Sequence, residues 1–253
     1  MTDQSPAASF EQVTSIDAES PTLIEGLPGH GLVAAIAVDQ ITSQLGLEHY
    51  GNVASDAFPP VVTFEDGTVQ DLVRVYAGSD PDVMTLESDL ALPQSAFEPL
   101  SRCVLEELAD RFDRAIFLAG APAESEDQIG EVTGVATTES IKEDLLDAGV
   151  RVPDENGLVG GITGALVREC YQAEVPAALL IVRSHPFLPD PQAAKSVIET
   201  ALEPLVEFDV DTTALEEQAD DIRQRMEQVA TQYQQMAEQE GQQQQQVQTG
   251  MFQ

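Results

Sequence analysis

Apolar positions along the chain recur in two different periods, and their alternation predicts strands followed by helices. Thr22-Leu23-Ile24-Glu25-Gly26 reads as a short buried strand. It runs into a turn, Leu27-Pro28-Gly29-His30-Gly31. Leu32, Ile36, Ile41 and Leu45 then fall on one face of a helix that Gly46 closes as a C-cap. Residues 47–92 are β-rich, with candidate strands at 48–54, 61–65, 69–77 and 83–90, and Asp66-Gly67 signals a hairpin between two of them. Pro93 opens a helix whose apolar face is Phe97, Leu100, Val104, Leu108 and Phe112. Residues 115–119 (AIFLA) form the kind of uninterrupted apolar run that parallel strands buried on both faces require.

The same reading makes residues 120–138 a long loop and predicts a helix at 139–147 ending at Gly149. A second glycine cluster spans Gly157 to Gly164 and leads into a helix through Leu166, Val167, Cys170 and Tyr171. Residues 177–183 (AALLIVR) are another apolar strand, followed by a loop punctuated by Pro186, Pro189 and Pro191 and a helix over 192–205. Strands alternating with helices predict a three-layer α/β/α sandwich with a mixed, mostly parallel sheet, the 47–92 stretch supplying an antiparallel portion.

Beyond Asp211 the pattern changes. Leu215, Ala219, Ile222, Met226, Val229, Tyr233 and Met236 are separated alternately by four and three positions, a heptad seam. Either an amphipathic helix lying on its own domain or a coiled coil between subunits satisfies that spacing. Residues 239–250 are rich in glutamine and have no apolar face, so they read as a flexible tether, and Met251-Phe252-Gln253 follows. The expected organisation is an irregular lead-in over 1–19, the α/β/α domain over 20–208, a helix over 211–240 and a tail over 241–253.

Composition narrows the functional classes. The 253 residues carry 45 acids against 11 Lys and Arg, a formal net charge of −34. Such a chain repels nucleic acid and anionic lipid, so neither is an expected partner. The acids are spread along the chain, which points to a halophile cytosolic protein whose self-repulsion molar salt would screen. Hydrophobic residues make up 42%, enough for a core. No apolar run reaches the ~20 residues of a membrane span, and the opening Met1-Thr2-Asp3-Gln4-Ser5-Pro6 lacks the basic and apolar regions of a signal peptide. The expected location is cytoplasmic. Cys103 and Cys170 sit in separate apolar stretches and read as buried free thiols.

Candidate chemistry is sparse. Gly26, Gly29 and Gly31, with His30 between them, follow a strand and precede a helix, so their backbone N–H groups are placed to cradle an anion. The alternative is that these glycines let strand and helix pack closely. No Gly-Lys-Ser or Gly-Lys-Thr follows, as a P-loop needs. Arg74, Arg114, Arg151 and Arg183 are not gathered by spacing, His185 stands alone before Pro186, and no His or Cys cluster has metal-ligand spacing. The sequence therefore predicts no catalytic residues, no metal, no cofactor and no enzyme.

Three blocks together carry a resemblance. Glu25-Gly26-Leu27-Pro28-Gly29-His30-Gly31-Leu32-Val33, Gly157-Leu158-Val159-Gly160-Gly161-Ile162-Thr163-Gly164-Ala165-Leu166 and Pro189-Asp190-Pro191-Gln192-Ala193-Ala194 occur in that order and resemble the signature blocks of the proteasome assembly chaperone family. Met251-Phe252-Gln253 is similar to the hydrophobic-aromatic-X tripeptide by which archaeal members and proteasome activators enter pockets between α-ring subunits, with Phe252 where Tyr is usual. The resemblance implies an α/β/α fold shaped like nucleoside phosphorylases, a homo-oligomer, and the proteasome α ring as partner. It makes Met251, Phe252 and Gln253 the docking residues. The competing reading is a protein that binds or turns over a nucleoside or phosphorylated compound at the Gly26–Gly31 turn, and a third is a scaffold held together by the 213–238 helices.

Overall fold

The computed structural model describes residues 7–224. They fall into two compact units, divided after Thr212. The first is built on an eight-stranded sheet. Its strands are β1 (Ala8–Gln12), β2 (Thr22–Gly26), β3 (Glu48–Ser55), β6 (Val73–Ser79), β7 (Asp82–Ser88), β8 (Arg114–Pro122), β9 (Val132–Ala136) and β10 (Ala177–Ser184). The hairpin β4 (Thr63–Glu65) and β5 (Thr68–Gln70) forms a separate ribbon turned at Asp66-Gly67, where both residues have positive φ.

The strand order is β1-β3-β6-β7-β2-β8-β10-β9. The four central strands β7, β2, β8 and β10 run parallel, and antiparallel strands flank them on both sides. The parallel strands need crossovers, and the helices supply them. α1 (Val33–Gln44), α2 (Phe97–Cys103), α3 (Glu139–Asp147) and α4 (Gly161–Gln172) lie in those connections, and α5 (Pro191–Val197) and α6 (Glu203–Val206) follow the last strand. A π-helical stretch, Val104–Leu108, continues α2, and another, Ile198–Leu202, joins α5 to α6.

The layers follow from side-chain alternation along the strands. Leu23 of β2, Phe117 of β8 and Leu179 of β10 meet Leu100, Val104 and Leu166 under α2 and α4. On the other face α1 buries Ala34, Ala37, Val38 and Ile41, and α5 packs beside it. α3 covers β9 on that second face, where Leu145 closes over Gly134. The result is the α/β/α sandwich expected, with its antiparallel part larger than the sequence suggested.

Two segments depart from expectation. The lead-in carries β1, because Phe10 stacks on Tyr50 at 5.5 Å and lies under the Arg111 guanidinium at 5.2 Å. The 120–138 loop contains β9, a five-residue edge strand interrupted by Gly134 and paired on one side only. The stretch read as one strand at 69–77 divides into β5 and β6.

In the second unit residues 213–224 are helical, with Leu215 and Ala219 buried and Ile222 half-buried. The later seam positions Met226, Val229, Tyr233 and Met236 lie outside the described residues, as do Met251, Phe252 and Gln253. Among the described residues no helix is long and apolar enough to cross a membrane.

Candidate functional site

The three blocks that stand far apart in sequence converge at the carboxyl ends of β2, β8 and β10. The first leaves β2 at Gly26, where a Cβ would come within 2.5 Å of Val38 Cβ, so α1 can lie this close to the strand only over glycine. The turn then passes above β8, and a side chain at Gly120 would collide with the His30 carbonyl. Gly31 and Leu32 both have positive φ, 64° and 52°, before the chain enters α1. Gly29 is extended, and a Cβ there would meet open space.

The second block opens α4 at Gly161. It is tied to the first through Glu25, which points from β2 toward the α2–α4 side. Thr163 Oγ1 lies 3.3 Å from Glu25 Oε1, and the same carboxyl accepts the N–H groups of Leu27 and Leu118, each at 3.2 Å. Glu25 is completely buried. Burial pushes its pKa up to about 8, against the opposing pull of those hydrogen bonds. One side chain thus joins β2, β8 and α4 at the end of the sheet.

The third block contributes Asp190, the N-cap of α5. Its Oδ1 accepts from Ala193 N–H at 2.9 Å, its Oδ2 accepts from His185 N–H at 2.6 Å, and its own N–H donates to the Gly31 carbonyl at 2.9 Å. Asp190 therefore locks the first turn to the third block. Beside it, Ser184 ends β10, fully buried. Neither Ser184 Oγ nor His30 Nε2 has a hydrogen-bond partner, although both atoms are buried.

Of the predicted turn residues, Gly26, His30 and Gly31 sit within this assembly and Gly29 at its open edge. Sequence reading missed Glu25 as a functional group and Ser184 altogether. An acid inside the otherwise apolar Thr22–Gly26 strand was the available signal for the first. A serine at a strand end carries none.

The other ionisable groups lie elsewhere. Arg74 makes a paired contact with Asp89 at 2.5 and 3.0 Å, Arg114 bonds Asp144, Arg151 bonds Glu131, and Arg183 donates to the Pro122 carbonyl. No two of them share a partner among these contacts. Cys103 and Cys170 are buried free thiols, pushed up to about 12 by burial and neighbouring glutamates. Among the described residues no group of His, Cys, Asp and Glu is arranged to hold a metal ion. A cavity of about 820 Å³ opens on the α4 side of β9 and β10, with Val135 and Ile181 in its floor and Leu158, Val159 and Gly164 of the second block in its wall.

Known proteins share this architecture. A model of the PAC2 family matches residues 23–230. An uncharacterized protein of Methanocaldococcus jannaschii is 28% identical over 224 residues, covering 88% of this chain and 91% of its own. The crystal structure of Pyrococcus furiosus PbaA, an archaeal homolog of proteasome-assembly chaperone, superposes with a TM-score of 0.79 at 23% identity, covering 93% of this chain and 97% of that one. Pyrococcus furiosus PbaB, an archaeal proteasome activator, gives 0.78 at 21% identity, covering 88% and 99%.

Proposed function

This chain belongs to the PAC2 family, and from that premise we propose that it is a proteasome assembly chaperone-like protein or proteasome-binding adaptor. The observation that carries the reading is the end-to-end likeness of its fold to PbaA and PbaB, one related to assembly and the other to activation of the same particle. The partner is the proteasome α ring. The docking element is Met251-Phe252-Gln253, set beyond the glutamine-rich stretch. Phe252 seats its ring in an apolar pocket between α subunits, worth up to ~3 kcal/mol before ordering costs. The α/β/α unit is the body that carries this plug, and several copies in a homo-oligomer raise its effective concentration at a symmetric ring.

The test is capture of purified α rings in molar KCl by the full-length chain, a variant lacking residues 251–253, and Phe252→Ala. The expected outcome is loss of ring capture in both variants, with the mass of the chaperone particle unchanged. Capture that survives the deletion rejects tail docking.

A further inference from the structure

We propose that the turn between β2 and α1 is a binding site for a phosphoryl oxyanion, held by the amino end of α1, the Ser184 hydroxyl and the His30 imidazole. Its position is the first support. The chain leaving β2 crosses toward β3 and β6, whereas the chain leaving β8 crosses toward β9 and β10. A crevice opens where two parallel strands send their connections in opposite directions, and α/β proteins place ligands there. The Gly29–Gly31 turn lies over that point, pressed against Gly120 of β8.

The donor set is the second support. α1 is twelve residues long, and no side chain caps its amino end. Its first N–H groups carry the positive end of the helix dipole. Ser184 Oγ is buried, unpartnered and aimed into this turn: a Cβ at Gly31 would stand 2.6 Å from it. Only glycine leaves room between the hydroxyl and the backbone. His30 Nε2 is a second buried, unpartnered group on the same turn. Buried polar atoms are normally paired, and one orphan on this turn and another at the end of β10 against it point to an absent partner.

The chemistry of that partner follows. Backbone N–H groups, a serine hydroxyl and a protonated imidazole nitrogen can all donate, and a phosphoryl group presents several strong acceptor oxygens. The two carboxyls beside this turn are already engaged: that of Asp190 accepts from His185 and Ala193, and that of Glu25 accepts from Leu27 and Leu118. The site involves none of the residues assigned to ring docking, so it stands or falls separately from that function.

Inorganic phosphate, titrated calorimetrically into the full-length chain at constant ionic strength in molar KCl, tests it. Saturable binding is expected in the wild type. Ser184→Ala and His30→Ala each weaken binding at least tenfold, and Gly31→Ala abolishes it. Ser184→Ala should melt within a degree or two of the wild type, since its hydroxyl has no partner to lose. If it fails to fold, His30→Ala carries the comparison. A flat wild-type titration, or wild-type affinity in both the Ser184 and His30 variants, overturns the proposal. A phosphomonoester arm then separates the free ion from a phosphorylated ligand.

Discussion

Glu25 is the residue whose environment differs most from what its neighbours in sequence suggest. Its folded pKa stands at about 8, against 4.5 when exposed. The sign of the linkage is set by which state holds the proton. Between those two values the unfolded chain has released it and the folded chain retains it, so stability falls as pH rises through the window, by at most ~1.4 kcal/mol per unit. Above about pH 8 the loss is complete. Glu25→Gln keeps the shape and removes the titration. Urea unfolding from pH 5 to 8.5 should show the variant gaining on the wild type steadily, to a few kcal/mol at the top. Parallel pH profiles for the two proteins would contradict a retained proton. Little of this was legible beforehand. The acid in the strand is plain in the sequence, but its burial depends on Leu118 and Thr163, brought from distant segments by the sheet.

Among the elements, α1 illustrates how much local pattern reveals. Its span followed from apolar spacing, but of the face read as Leu32, Ile36, Ile41 and Leu45 only Ile41 is buried, the packing being carried by Val33, Ala34, Ala37 and Val38; its contact with β2 follows from one missing side chain. Gly26→Ala places a methyl 2.5 Å from Val38 Cβ. The helix must lift from the strand, at a cost of about 1–3 kcal/mol. Val38→Gly on the same chain removes that Cβ together with both methyls, so the double variant should lose less than the sum of its parts, with a coupling of ~0.5–3 kcal/mol in denaturant melts. Strict additivity would mean that the two groups are not in contact. β1 and β9 were harder to read, since both are five-residue edge strands paired on one side, β1 largely polar and β9 interrupted by Gly134. Period two is weak in Ala8–Gln12, and only the approach of Tyr50 and Arg111 gives Phe10 a reason to be there. The three glycine and proline blocks were visible singly. Their meeting was not, because hydrogen bonds such as Asp190 N–H to the Gly31 carbonyl join residues that no local window contains.

For the whole molecule the governing quantity is a net charge of −34. Mutual repulsion among exposed acids favours the expanded chain, and a Debye length of ~3 Å at 1 M salt removes most of it. The denaturation midpoint should therefore climb from 0.1 to 2 M KCl and then flatten as screening saturates. A midpoint indifferent to KCl would show that the folded shape carries little electrostatic strain. Topology adds a second property of the entire chain. β2 precedes its partners in synthesis, since the residues it pairs with begin at Val83 and Arg114. During that wait Thr22-Leu23-Ile24 is a naked sticky segment, and the adjoining glutamate, ionised while wet, acts as its gatekeeper. The guard is dismissed by protonation once the flanking strands arrive, so the same carboxyl that protects the nascent chain becomes a neutral rivet in the finished one.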